Sequence, residues 1–333
     1  EHATAQVRRR SIETLLEFGE SPGETMQIAI IGLGKMGGNM AARLVAKGHT
    51  VVGFDPSAET RAKVAALGAT VVASLDEIPA ALTAAGPGPR AAWVMVPAGD
   101  ATESVLQALA SKFAAGDILI DGGNANFKDS KRRGETFAAS GLRFLDAGTS
   151  GGIWGRENGY CLMVGGDKTA FDHLEPLLLD LSPGKEGLGY FGTAGAGHYA
   201  KMVHNGIEYA MMQAYAEGFD LLAASDYGYD LAKLGTVWGR GSVVRSWLLD
   251  LAVNAFTKDP KLEQVQGWVE DSGEGRWTVE EAIARAVAVP TIAASLFARF
   301  SSRKPNAFSN RFLAALRREF GGHAVKPAAT EAK

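Results

Sequence analysis

The chain has one cysteine, Cys161, so no disulfide can form within it and no CxxC pair is available for zinc or thiol exchange. Its six histidines are scattered, without HExxH or comparable spacing, and no metal centre is expected. No apolar run approaches the roughly 18 residues that cross a bilayer, so no transmembrane helix is expected. Charge of one sign is also lacking: 34 Lys and Arg against 37 Asp and Glu leave a formal net charge of −3. Such a chain raises no field that would gather nucleic acid or an anionic membrane, and neither is expected as a partner. What is present is ordinary: 46% hydrophobic and 21% charged residues in 333, enough for one large domain or two smaller ones with real cores. A soluble protein of a reducing, cytoplasmic compartment is the expectation.

Residues 1–25 carry Arg8–Arg10 and several glutamates, without the apolar core of a signal peptide. The arginines suit a targeting or nucleic-acid arm, but a solvated, poorly ordered extension is the simpler expectation. From Met26 onward, short β-rich runs alternate with helical ones. Strands are expected at 26–31, 50–54, 92–96, 117–121, 142–147 and 160–165, with helices such as 39–48 and 101–113 between them. Residues 83–90, TAAGPGPR, read as a turn-rich loop. Beyond about Tyr190 the strand signal fades, and helices are expected near 195–224, 231–241, 246–256, 279–289 and 310–320. The fold class is therefore an α/β Rossmann-like dinucleotide-binding domain, residues 26–193, followed by an all-α domain, 194–325, with a tail at 326–333.

The run IAIIGLGKMG places Gly32, Gly34 and Gly37 between a strand and a helix, and a second strand ends at Asp55, 23 residues after Gly32. Gly32 permits the tight turn, Gly34 lets the backbone approach a pyrophosphate, and Gly37 lets the helix pack closely. Leu33 and Met36 in that loop, Val96 at the end of the 92–96 strand, and Asn124 complete the expected cofactor contacts. Asp55 can accept from a free ribose hydroxyl and would repel a 2′-phosphate, and neither Pro56 nor Ser57 could receive that phosphate. NAD is favoured over NADP.

In KMVHNGIEY, residues 201–209, the side chains of Lys201, His204, Asn205 and Glu208 fall at roughly 0°, 300°, 40° and 340° around a helix. They form a polar stripe on a segment otherwise nearly free of charge. A surface ion pair would explain it, since such pairs are common and usually inert. Burial is the sharper alternative. Desolvation lowers an amine's pKa and raises a carboxyl's, towards values suited to proton transfer.

These residues resemble the active-site helix of decarboxylating 6-phosphogluconate dehydrogenases. So do DGGNANFKDS (121–130) and LDAGTSGGIWGRENGYCLMVGG (145–166), and the resemblance runs in order from Met26 to about His323. The chain is similar to the family's short form. The resemblance implies that Lys201 is the general base and Glu208 the general acid. It implies a sugar-phosphate substrate lined by Asn124, Ser150, Gly151, Gly152, His204, Asn205 and Tyr209. Arg299 matches a phosphate-binding arginine. Arg317 and His323 match a C-terminal pair that reaches the phosphate from a neighbouring subunit, which implies a homo-oligomer. Neutral Lys201 would take the C3 hydroxyl proton as hydride leaves C3, and Glu208 would then protonate C1 of the enediol left by decarboxylation. His204 and Asn205 would orient hydroxyls.

The pattern departs from the long form at EDSGEGRWT (270–278), where Ser272 and Glu274 stand in place of a phosphate-contacting lysine and threonine. Phosphate binding would lean on Arg299, Arg317 and Arg311, whose geometry is bidentate. Cys161 reads as a buried strand residue. A 3-hydroxyisobutyrate-type dehydrogenase shares the fold, the Ser-Gly-Gly loop and the lysine, but does not need Glu208. A nucleotide-binding protein without turnover would be expected to have lost the lysine or the glycines.

Overall fold

The computed structural model describes residues 25–304, 306–321 and 324–326, so the expectations for residues 1–24, for His323 and for most of the tail lie outside the described residues. The described residues divide into two compact units, the first ending at Met202 and the second beginning at Val203.

The first unit is built on an eight-stranded sheet: β1 (Gln27–Ile31), β2 (Thr50–Phe54), β3 (Thr70–Val71), β4 (Ala91–Val94), β5 (Ile118–Asp121), β6 (Arg143–Ser150), β7 (Cys161–Gly166) and β8 (Leu188–Tyr190). Their order is β3-β2-β1-β4-β5-β6-β7-β8, and every neighbouring pair is parallel except β6 with β7. Helices connect the strands: α1 (Lys35–Ala46), α2 (Ala58–Ala65), α3 (Ile78–Ala85), α4 (Asp100–Ala110), α5 (Phe127–Ala139), the short α6 (Gly155–Asn158) and α7 (Lys168–Leu181).

Parallel strands covered on both faces read as near-continuous apolar runs, and QIAII and ILID do so. Alternate side chains enter opposite layers. Ile28 and Ile30 of β1 pack in a layer with Met40 and Leu44 of α1 and Leu174 and Leu177 of α7. Ala29 and Ile31 pack in the other layer with Leu82 of α3, Leu106 of α4 and Phe137 of α5. The β1–α1 turn thus stands where the strand order reverses between β2 and β4, the usual position for a ligand crevice in such sheets.

Helix α8 (Ala196–Ala223) begins in the first unit and continues into the second. The second unit adds α9 (Leu231–Trp238), α10 (Trp247–Lys258), α11 (Glu274–Ala284), α12 (Pro290–Ser302) and α13 (Phe308–Gly321). Its small core gathers Phe219 of α8 with Leu249 and Phe256 of α10, and the Phe219 and Phe256 rings are 5.0 Å apart.

Several sequence expectations need correction. The loop expected at 83–90 begins only after Ala85, because α3 continues through Thr83–Ala85. The helix expected at 279–289 is α11, which starts five residues earlier behind Gly273 and ends at Ala284. Cys161 is exposed, since it opens β7 at the end of its pairing with β6. The long helix is buried mainly in its first half, and beyond Tyr209 only Phe219 is buried. Met211, Met212 and Leu221 are exposed in this chain, so its apolar character does not mark a core element throughout.

Candidate active site

The turn between β1 and α1 is shaped by its glycines. Gly32 has φ +92°, and a Cβ there would lie 2.5 Å from the carbonyl oxygen of Met95. A Cβ on Gly37 would run into the carbonyl oxygen of Gly32, so the helix can lie this close only without a side chain. The tip at Gly34 opens into space, with nothing within 4 Å of a Cβ position. Helix α1 has no side-chain cap and no acidic residue in its first turn. Its first N–H donors and partial positive charge are thus available to an anion. Leu33 is buried in this turn, Met36 is half-buried, and Val96 borders it with Cγ1 3.0 Å from a Cβ position on Gly32.

Asp55 follows β2, and its Oδ2 accepts from the Leu33 N–H at 2.9 Å while Oδ1 accepts from the Ser57 N–H at 2.9 Å. Each oxygen keeps a second lone pair for a ribose hydroxyl. Arg61, on α2, donates through Nη1 to the carbonyls of Asp55 (2.6 Å) and Pro56 (3.2 Å). A reading confined to residues 56 and 57 missed this arginine, because one helical turn brings it back. Open glycine tip, uncapped helix and second-strand carboxylate together fit a dinucleotide.

The strip from Asp121 to Asn124 is held from several sides. Asn124 has φ +50°, a left-handed conformation costly for a side chain other than glycine. Its Oδ1 accepts from the Thr149 N–H at 2.9 Å and its Nδ2 donates to the Thr149 carbonyl at 3.1 Å, so the amide bonds to β6 as a strand neighbour would. Asp121 Oδ1 accepts from the Gly123 N–H at 3.1 Å, while Arg133 Nη1 donates to Asp121 Oδ2 at 2.6 Å. Arg133 Nε also donates to Glu103 Oε2 at 2.8 Å. Arg132, and then Arg133, hold the Glu103 carboxyl at a pKa of about 2 against an ordinary 4.5.

Ser150 ends β6, and Gly151 (φ +125°) and Gly152 (φ +54°) turn the chain out of the strand. The segment beyond is tied to α1. Arg43 donates to the carbonyls of Arg156 (3.1 Å), Glu157 (3.3 Å), Asp180 (2.7 Å) and Ser182 (3.0 Å), and Asn39 donates to that of Ile153 (3.3 Å).

Lys201 is buried, at 5% exposure. The reason lies on β6, where Gly148 presents bare backbone: a Cβ there would collide with the Lys201 Cβ and lie 2.8 Å from the Gly197 carbonyl oxygen. Two residues earlier, buried Asp146 accepts from the N–H groups of Gly195 and His198, both at 2.7 Å, and so caps the start of α8. Burial raises the Asp146 pKa, and His198 opposes the rise.

The next turns of α8 belong to the second unit. His204 Nδ1 lies 2.9 Å from Asn205 Oδ1 and 3.9 Å from Glu208 Oε2. The His204 and Glu208 side chains are 40% and 37% exposed in this chain. The expectation of a buried glutamate therefore fails, since the His204–Glu208 edge of the stripe rises off the packed face. Asn205 is buried and its Nδ2 donates to Glu274 Oε2. Tyr209 is buried too, its hydroxyl accepting from the Ser272 N–H at 2.9 Å and lying 3.2 Å from Ser272 Oγ. The Arg299 guanidinium stacks on the Tyr209 ring, 3.5 Å from its centre, while Nη1 donates to the Glu270 carbonyl at 2.7 Å.

The structure thus gathers Asn205, Tyr209 and Arg299 around residues 270–274, with His204 beside Asn205 and Glu208. Arg317 and Arg311 lie exposed on α13, and among the described residues Arg317 bonds to none of the five. From sequence, Glu274 marks only a departure from a phosphate-contacting position of the long form. It is 6% exposed, and it faces Asn205.

Residues 27–193 match the NAD binding domain of 6-phosphogluconate dehydrogenase, and residues 197–318 match the 6-phosphogluconate dehydrogenase C-terminal domain. An NAD(+)-dependent, decarboxylating 6-phosphogluconate dehydrogenase of Haloferax volcanii is 45% identical over 301 residues, 90% of this chain and 98% of its own. A solved 6-phosphogluconate dehydrogenase of Plasmodium falciparum, known with its cofactor NADP+ and with its substrate 6-phosphogluconate, superposes with a TM-score of 0.76 at 27% identity. It covers 91% of this chain and 67% of its own. A 3-hydroxyisobutyrate dehydrogenase of Mycobacterium tuberculosis reaches a TM-score of 0.65 at 24% identity over 88% of this chain and 99% of its own, a likeness of fold alone.

Proposed function

The chain belongs to the 6-phosphogluconate dehydrogenase family, and from that membership we infer that it converts 6-phospho-D-gluconate and NAD to D-ribulose 5-phosphate, CO2 and NADH. The Gly32–Gly37 turn and Asp55 hold the cofactor, and Val96 and Asn124 border it. When bound, NAD accepts the hydride that leaves C3. Lys201, as the free amine, takes the proton of the C3 hydroxyl. As the ammonium it then steadies negative charge on the C3 oxygen while the bond to the carboxylate carbon breaks and CO2 departs. Glu208 delivers a proton to the carbon that becomes C1 of the pentulose. Ser150, Gly151, Gly152, Asn124, His204, Asn205 and Tyr209 orient the substrate, and Arg299 takes its phosphate, with Arg317 and His323 supplied from a second copy.

One observation carries these roles: Lys201 and Glu208 stand seven residues apart on one unbroken helix, on nearly the same side. The homo-oligomer draws support from Leu221, Ile283 and Phe308, apolar side chains each more than 70% exposed on the second unit. The cytoplasm is the compartment that suits this chemistry. NADH formation with 6-phosphogluconate, compared with 3-hydroxyisobutyrate, tests the substrate. Lys201→Met should abolish hydride transfer and Glu208→Ala should slow product formation more than NAD binding. Retained turnover in the first variant removes Lys201 from the role of base.

A further inference from the structure

One carboxylate organises the polar cluster of the second unit. Glu274 Oε2 receives Asn205 Nδ2–H from one side and the Ser272 hydroxyl, at 3.3 Å, from the other. Both bonds end on that one oxygen as the acceptor, so its two donors set the direction of the bonds that follow. Ser272 has spent its single proton on Glu274, and the Tyr209 hydroxyl must therefore donate to Ser272 Oγ at 3.2 Å. On the other side, the Asn205 amide is turned so that Oδ1 faces His204 Nδ1 at 2.9 Å. Oδ1 accepts, so Nδ1 is the ring nitrogen that bears hydrogen. Neutral His204 then keeps Nε2 as its acceptor, and its Nδ1–H points to the side where Glu208 Oε2 lies 3.9 Å away.

We propose that Glu274 is a positioning residue of the dehydrogenase reaction, fixing the Asn205 amide and through it the Nδ1–H tautomer of His204 beside Glu208. This rests on the functional reading above only for its consequence in turnover. It also explains why a glutamate stands where the long form has a phosphate-contacting residue: the side chain turns from the phosphate role to order the hydrogen bonds that end at His204 and Tyr209. Tyr209 in turn is the platform on which Arg299 lies.

The test compares Glu274→Gln and Glu274→Asp with the wild type. The full chain is labelled with 15N-histidine, and the His204 signal is identified by its loss in His204→Asn. In the wild type, His204 shows its proton on Nδ1. Glu274→Gln, which can offer the Asn205 amide either a donor or an acceptor, gives a mixture or the Nε2–H form. Its kcat falls about 10- to 100-fold, the scale of a small misplacement of reacting groups, while the KM for NAD stays unchanged. Glu274→Asp keeps the charge and restores the tautomer and part of kcat. A wild-type ring protonated on Nε2 overturns the proposal whatever the variants do. So does a Glu274→Gln protein that loses thermal stability while its tautomer and kcat stay as in the wild type. Wild-type inactivity on 6-phosphogluconate would instead remove the functional reading and leave the tautomer result standing.

Discussion

Replacing Arg133 with methionine should be among the most destabilising single changes available in the first unit. The Arg133 and Asp121 side chains are 1% and 0% exposed, and their contact is 2.6 Å. Methionine fills much of the same volume, so the loss is mainly electrostatic: Asp121 keeps a charge, or takes up a proton, where water cannot reach it. Breaking one partner of such a pair costs about 3–5 kcal/mol, whereas replacing both by well-packed neutral groups is often close to neutral. For a unit of this size that corresponds to a fall in Tm of roughly 6–20 °C. Scanning calorimetry on Arg133→Met, Asp121→Asn and the double variant provides the assay. The double variant should recover a large part of the loss. Because Asp121 also holds the Gly123 N–H, the single variant should raise the KM for substrate at the Asn124 turn. A fall below about 1 kcal/mol for Arg133→Met, or strict additivity in the double variant, would refute the argument that the pair acts as a buried unit.

Gly148→Ala should lower kcat about 100-fold, because its methyl would sit 2.8 Å from the Gly197 carbonyl oxygen and push Lys201 aside by a good fraction of an ångström. Wild-type kcat in that variant would mean that Lys201 is not placed by this packing. Asp55→Asn should raise the ratio of kcat/KM with NADP to that with NAD by at least about ten-fold, since a close like-charge repulsion is removed; an unchanged ratio would assign cofactor choice elsewhere, with Arg61 the next residue to alter. Glu103 has a depressed folded pKa of about 2, so its contribution to stability is complete above its ordinary 4.5 and is lost as pH falls between those values. Glu103→Gln should therefore be less stable than the wild type at neutral pH and converge with it near pH 2, as denaturation at several pH values would reveal.

The fold class was legible because its signals are periodic and local. QIAII, TVVGF and the glycine turn between the first strand and α1 carry their own geometry, and the expected strand at 50–54 coincides with β2. Two strands were missed, β3 with two residues and β8 with three, too short to show any alternation. Helix α7 contains Pro176 and α12 begins on Pro290, and a proline in an apolar run reads as an interruption. Within the candidate site, residues clustered in sequence around 201–209 were visible as a stripe. The role of Glu274 was not, because 69 residues separate it from Asn205 and only the folded second unit brings them together. Its one sequence signal was the departure at 272 and 274 itself. Exposure also escaped the sequence: Cys161 and Glu208 sit in apolar runs, and such runs do not say which residue leads a strand or rises off a packed face.

The continuity of α8 has a consequence for how this sequence can drift. Whatever side chains stand between Lys201 and Glu208, their number cannot change. A single inserted or deleted residue would swing the carboxyl about 100° around the rod and shift it about 1.5 Å along it. Relatives that keep both groups should therefore show no gap between them.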